Sequence, residues 1–179
     1  MPTYVAFLRA VNVGGRWVKM ADLRETLSDN GFDEVETYIQ SGNVRLRSRL
    51  RSAAKVEQLV ESLVLDHFGL AVPTMVRTPA ELVALSETVS ALGYPLPGEP
   101  RRYVTFLKEE PAADAAAALN AWEQPHERVR VIGRDAVMWL NVPAHQARLT
   151  NARLERLSGA VSTTRDIKVV DALAERWGA

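Results

Sequence analysis

Cysteine is absent from the 179 residues, which excludes disulfides, thiolate metal ligation and thiol nucleophiles together. Net charge is absent as well, because 22 basic and 22 acidic side chains cancel. No global field therefore draws the molecule toward nucleic acid or an anionic membrane, and any such attraction has to come from a local patch. Aromatic residues are few, at 7%, which counts against a base-stacking platform. The three histidines, His67, His126 and His145, lie far apart with neither an HxxxH nor a carboxylate spacing, so they give no metal-ligand pattern. No apolar run approaches 18 residues, and the N-terminus lacks a basic segment leading into an apolar one. Neither a membrane span nor a secretory leader is expected, and the default location is cytoplasmic.

What is present is enough for a real core. Apolar residues make up 47% and charged residues 25%, as in an ordinary globular domain. A chain of this length buries about 70% of its unfolded surface. The stretch 3–10 is β-branched and aromatic enough for a buried strand. Residues 20–31 carry Met20, Leu23 and Leu27 at helical spacing before Gly31. Segments 34–40 and 44–50 alternate as strands around a "SGN" turn, which reads as a hairpin. A helix over 53–69 and a strand over 71–78 complete a βαββαβ order.

After a helix over 79–93 and the proline-rich stretch 94–100, the order repeats. Strand 101–107, helix 111–122, two strands within 127–142, helix 150–159, strand 160–164 and a last helix over 165–177 follow. The expected fold class is α+β, with two tandem ferredoxin-like (βαββαβ) repeats, each an antiparallel sheet with helices packed on one face. The expected domains are 1–95 and 96–179.

In that topology the end of the first strand and the turn between the second and third strands share an edge. Segment 10–16 and turn 40–43 then form one rim carrying Asn12, Gly14, Gly15, Gln40, Ser41, Gly42 and Asn43. By the same logic 145–151 meets 162–165 in the second repeat. Gly14 and Gly15 have two readings. They leave backbone N–H groups free to cradle a phosphate beside Arg9, Arg16 or Lys19, or they simply turn the chain. No Walker or G-x-G-x-x-G pattern decides between the two. Ser41 has no recognisable base beside it. Arg45, Arg47, Arg49 and Arg51 recur at period two, so they form either a phosphate-tracking stripe or a solvated, charge-protected face. Thr150 and Thr164 both precede helical runs and read as caps. Arg9 and Arg165 have the rigid fork that binds carboxylate or phosphate, or that pins a carbonyl-rich loop.

The motifs "LRAVNVGG" near the N-terminus, "TYIQSGNV" at 37–44, "LTNARLER" at 149–156 and "STTR" at 162–165 together resemble the bacterial domain-of-unknown-function family 1697. The resemblance implies tandem α+β subdomains. It carries the family pattern onto Arg9, Asn12, Val13, Gly14, Gly15, Tyr38, Ser41, Gly42, Asn43, Thr150, Asn151, Thr164 and Arg165. The chain departs from that pattern at Asp166 and Ile167, where the family commonly has an asparagine and an aromatic residue. The departure adds a carboxylate where an anionic ligand would be disfavoured.

The first functional reading is a site for a small anionic metabolite or nucleotide, lined by Arg9, Asn12, Gly14, Gly15, Gln40, Ser41, Asn43, Thr164 and Arg165. It requires the second repeat to bring "STTR" near the first repeat's rim. Binding of RNA or single-stranded DNA, through Tyr38 and the arginine stripe, stays open, as does a protein-interaction module without a small ligand. No acid–base pair is visible, so no reaction and no cofactor is assigned.

Overall fold

The computed structural model describes residues 1–179 as a mixed α/β protein with two antiparallel sheets and six helices. The chain divides into two compact units, one of Met1–Val83 with Leu173–Ala179 and the other of Ala84–Ala172. No helix is long and apolar enough to cross a membrane.

The first unit contains β1 (Thr3–Leu8), α1 (Met20–Asp29), β2 (Asp33–Tyr38), β3 (Asn43–Arg47), α2 (Ala53–Phe68) and β4 (Thr74–Arg77). The sheet order is β2-β3-β1-β4, antiparallel throughout. Helical spacing puts Leu23 and Leu27 of α1 and Val56, Val60 and Val64 of α2 against Tyr4, Ala6, Leu8, Val44 and Leu46 of the sheet. Each full burial of such a side chain stabilises by about 1.5–3 kcal/mol. Val5 and Phe7, on the other side of β1, are also fully buried. A strand buried on both faces reads as a continuous apolar run rather than an alternation.

Helix α3 (Pro79–Ala91) opens with a reciprocal cap. The Thr78 hydroxyl accepts from the Glu81 N–H, and the Glu81 carboxylate accepts from the Thr78 N–H at 2.7 Å. Pro79 stands in the first helical position, where a missing N–H has no consequence. The second unit continues with β5 (Arg101–Leu107), α4 (Ala113–Asn120), β6 (Glu123–Gln124), β7 (Glu127–Ile132), β8 (Asp135–Leu140), a 3-10 turn at Ala144–Gln146, α5 (Asn151–Ser158), β9 (Ser162–Asp166) and the start of α6 (Ile167–Trp177), whose residues from Leu173 onward belong to the first unit. Its sheet runs β6-β7-β8-β5-β9. Leu119 and Leu154 pack there against Leu107, Val129, Ala136 and Met138.

An edge strand offers unpaired N–H groups to any passing chain, and in both units a helix satisfies some of them. Glu57 and Glu61 of α2 accept from the N–H groups of Val76 and Thr74 on edge strand β4, at 2.9 and 2.8 Å. Glu155 of α5 accepts from the Ser162 N–H on edge strand β9, at 2.8 Å. Asn151, one helical turn earlier, accepts from the hydroxyls of Ser162 and Thr164.

One expectation is corrected at Thr164, which does not cap a helix. Pairing of β9 with β5 persists to Asp166 opposite Tyr103, so Thr164 sits inside the strand and α6 begins only at Ile167. The cap is Asp166, whose carboxylate accepts from the Lys168 N–H at 2.9 Å. The Asp166 carboxylate, expected from the sequence to disfavour an anionic ligand, thus has a local structural duty.

Candidate functional site

Beyond Leu8 the chain enters a run of left-handed backbone, with positive φ at Ala10, Asn12, Gly14 and Gly15. Such backbone costs a side-chain-bearing residue roughly 1–2 kcal/mol, with asparagine among the more tolerant. Asn12 holds the loop from inside. Its side-chain N–H donates to the carbonyls of Val18 and Gln40, at 3.0 and 2.6 Å, and its Oδ1 accepts from the Val18 N–H at 2.8 Å. Arg16 fixes the outside by donating to the carbonyls of Ala10 and Ala71. Backbone bonds from Asn12 N–H to Arg16 O and from Arg16 N–H to Val13 O close the loop on itself.

Turn 40–43 meets this loop directly. The Leu8 N–H donates to the Gly42 carbonyl at 2.8 Å. A Cβ on Gly42, whose φ is +80°, would stand 2.9 Å from the Leu8 Cβ and 3.5 Å from the Val11 Cβ. The residue is therefore glycine for two independent reasons, left-handed backbone and lack of room. Asn43 is fully buried and donates to the Tyr38 carbonyl and to the Ser41 hydroxyl, both at 3.0 Å. Gln40 is exposed at the tip and its carbonyl receives the Asn12 amide. Arg9 is half-buried, with its backbone N–H on the Pro73 carbonyl.

The structure thus brings Asn12, Gln40, Ser41, Gly42 and Asn43 together, and most of their polar side-chain atoms are engaged in building the rim. What the rim turns outward is different. Gly14 and Gly15 have open space around the position of a Cβ, and the large apolar side chains of Val13, Trp17 and Ile39 are exposed, Trp17 at 72%. Trp17 was missed by the sequence reading. The signal was available, since an indole directly after a Gly-Gly-Arg turn has no apolar periodicity to take it into a core.

In the second unit the Thr150 hydroxyl caps α5 by accepting from the Arg153 N–H. Thr164 shares hydrogen bonds with Asn151 at 3.1 Å and Thr105 at 2.8 Å, which ties α5, β9 and β5 together. Arg165 is 7% exposed and donates to the Thr163 hydroxyl and the Thr164 carbonyl. Burial lowers its guanidinium to about 10, so it still carries its charge at neutral pH.

The arginine stripe is matched from the neighbouring strand. Arg45 lies 2.9 Å from Glu36 and Arg47 lies 2.5 Å from Glu34. The Arg47 hydrogen bond holds the Glu34 carboxyl below the usual carboxylate range. Arg49 and Arg51 fall beyond the end of β3. The Tyr38 ring meets Trp177 edge-on at 6.5 Å and lies under the Arg176 guanidinium at 5.3 Å.

Comparison with known proteins places the chain. The family described as "Protein of unknown function (DUF1697)" matches residues 1–136. The chain belongs to that family. The DUF1697 match takes in the 10–16 loop, the 40–43 turn and the second unit as far as β8, while the Thr150–Asn151 and Thr164–Arg165 motifs lie beyond it. Among solved structures, the conserved bacterial protein SP0830 from Streptococcus pneumoniae is similar, with 24% identity, 100% of this chain and 99% of that one covered, and a TM-score of 0.74. A likeness at that identity speaks to the fold alone. No curated protein matches the sequence.

Proposed function

We propose that the protein binds a small phosphorylated ligand, of the nucleotide class, at the rim of its first unit. The observation that carries this reading is the division of labour in the 10–16 loop. Asn12 and Arg16 are engaged in holding the left-handed backbone, while the Gly14–Gly15 segment and the Trp17 ring are presented to solvent. Successive backbone amides in such a conformation form a concave anion site, and an exposed indole offers a stacking face to a base. Arg9, Gln40, Ser41 and Asn43 flank and brace the site in this reading. Thr164 and Arg165 serve the second unit through their bonds to Asn151, Thr105 and Thr163.

We also infer that the chain consists of two ferredoxin-like repeats, 1–95 and 96–179, arisen by tandem duplication. This reading is supported by the shared strand order, β2-β3-β1-β4 and β7-β8-β5-β9. It is supported as well by the sealing of β4 by α2 and of β9 by α5 through side chains four residues apart.

The test is a thermal-shift titration of wild type and Trp17→Ala with nucleoside mono-, di- and triphosphates, with citrate as a non-nucleotide anion. A ligand at about 100 times its Kd stabilises by about 2.7 kcal/mol, or roughly 5–10 °C for a chain of this size. Trp17→Ala removes only an exposed ring, so it leaves the unliganded Tm in place and abolishes most of the shift. Absence of any nucleotide shift in the wild type, or an equal shift in the variant, refutes the reading.

A further inference from the structure

The second unit contains an open cavity of about 550 Å³, lined by residues of the 92–95 segment, Asn120 at the end of α4, Arg128, Val129 and Arg130 of β7, and Trp139 of β8. That volume lies within the range of small-molecule sites, roughly 300–1,000 Å³. Two features of the lining point to one chemistry. The walls are apolar and aromatic, through Leu92, Tyr94, Pro95, Val129 and Trp139, yet the charged residues among them are two arginines and no aspartate or glutamate. Arg128 is partly neutralised, donating to Glu123 at 3.3 Å and to the carbonyls of Gln124 and Glu127. Arg130 lies exposed on the same strand.

The second feature is Trp139. Its side chain is 3% exposed, and its buried Nε1–H has no hydrogen-bond partner. An indole nitrogen can only donate, and a buried donor left unpaired is unfavourable enough that native proteins rarely keep one. The missing complement is an acceptor. A ligand that meets this lining is planar and apolar over most of its surface and carries an anionic oxygen group. The Tyr94 ring, already under the Arg102 guanidinium at 5.1 Å, supplies a second aromatic wall.

We propose that this cavity is a binding site for a small aromatic carboxylate, with Arg130 as the charge partner, Trp139 Nε1 as a donor to the ligand, and Tyr94 and Leu92 as the apolar walls. Calorimetric titration with benzoate and indole-3-carboxylate tests it, with indole-3-carboxamide and inorganic phosphate as comparators. The aryl carboxylates bind, and the carboxamide and Arg130→Gln each weaken binding about ten-fold or more, the usual worth of a charge-assisted hydrogen bond. Trp139→Phe keeps the wall and removes the unpaired N–H. It weakens carboxylate binding several-fold while the unliganded Tm holds or rises by roughly 2 °C.

This opposite movement of affinity and stability separates a donor awaiting a ligand from a merely structural ring. No binding by the wild type up to about 10 mM, a Kd too weak for a built site, overturns the proposal. So does phosphate binding as well as the aryl carboxylates, or unchanged affinity in both variants.

Discussion

Replacing Asn12 by alanine isolates the cost of the loop clamp. Three hydrogen bonds disappear, two donated to the carbonyls of Val18 and Gln40 and one accepted from the Val18 N–H. A net hydrogen bond contributes about 0.5–1.5 kcal/mol, and the bond to Gln40 lies at the exposed tip, where water replaces part of it. Alanine must also hold the left-handed φ of +58°, which asparagine tolerates better by a fraction of the roughly 1–2 kcal/mol that such backbone costs. The sum is about 2–3 kcal/mol, or a fall in Tm of roughly 5–10 °C for a chain of this size. Asn12→Gly loses the same bonds but not the backbone tolerance, so it recovers about 1 kcal/mol of the loss relative to alanine. Calorimetric melts of wild type and both variants read the two contributions apart. An Asn12→Ala melt within about 2 °C of wild type, below 1 kcal/mol at this chain length, refutes the claim that this side chain holds the rim.

Two further expectations concern the same unit. Gly42→Ala places a Cβ 2.9 Å from the Leu8 Cβ at a φ of +80° and is expected to cost about 2–4 kcal/mol through strain and overpacking together. Gly15→Ala has open space at a φ of +81° and loses only about 1 kcal/mol, so urea midpoints that fail to separate the two variants contradict the geometry. In an NMR titration Glu34 protonates below the ordinary carboxylate range because of its hydrogen bond to Arg47, and Arg47→Gln returns it toward that range. A folded-state pKa below the unfolded one means that its contribution to stability is present above the unfolded value and is lost as pH falls through the folded one. The β2–β3 pairing therefore loosens at acid pH in the wild type, and less so in Arg47→Gln.

Element order was legible because periodicity and punctuation agree along most of the chain. Leu23 and Leu27 mark the buried side of α1, and Val56, Val60 and Val64 that of α2, by spacing alone. The adjacency of segment 10–16 and turn 40–43 followed from strand order, since the end of β1 and the β2–β3 turn lie at one end of the sheet. Hydrogen-bond partners were less legible. Nothing in the string "VNVGGR" says that Asn12 reaches the carbonyl of Gln40, or that Arg16 reaches that of Ala71. Such pairs are set by the folded path of the chain and not by residue type. Thr164 shows the local form of the same difficulty. Both Thr164 and Asp166 are competent caps ahead of the apolar run, and strand pairing out to Asp166 gives the duty to the later residue.

The residues that make the motifs recognisable are, in large part, the ones whose polar groups are turned inward. Asn12 braces one loop, Asn43 closes the turn against it, and Asn151 with Thr164 ties a helix to an edge strand. A polar side chain whose hydrogen-bonding capacity is met by backbone has little left for a ligand, because each new bond would have to displace an existing one at similar energy. The motif therefore locates where a built surface lies without naming the groups that act there. Those have to be sought among atoms the scaffold leaves over: the open Gly14–Gly15 backbone and the Trp17 ring at the rim, and in the second unit the unpaired Trp139 N–H and the Arg130 side chain, from two residues that line one cavity. None of the side chains in that set was among the residues the motif singled out. Mutagenesis guided by the motif would for that reason report mainly on folding, whereas Trp17, Arg130 and Trp139 can be changed with the scaffold's hydrogen bonds left in place.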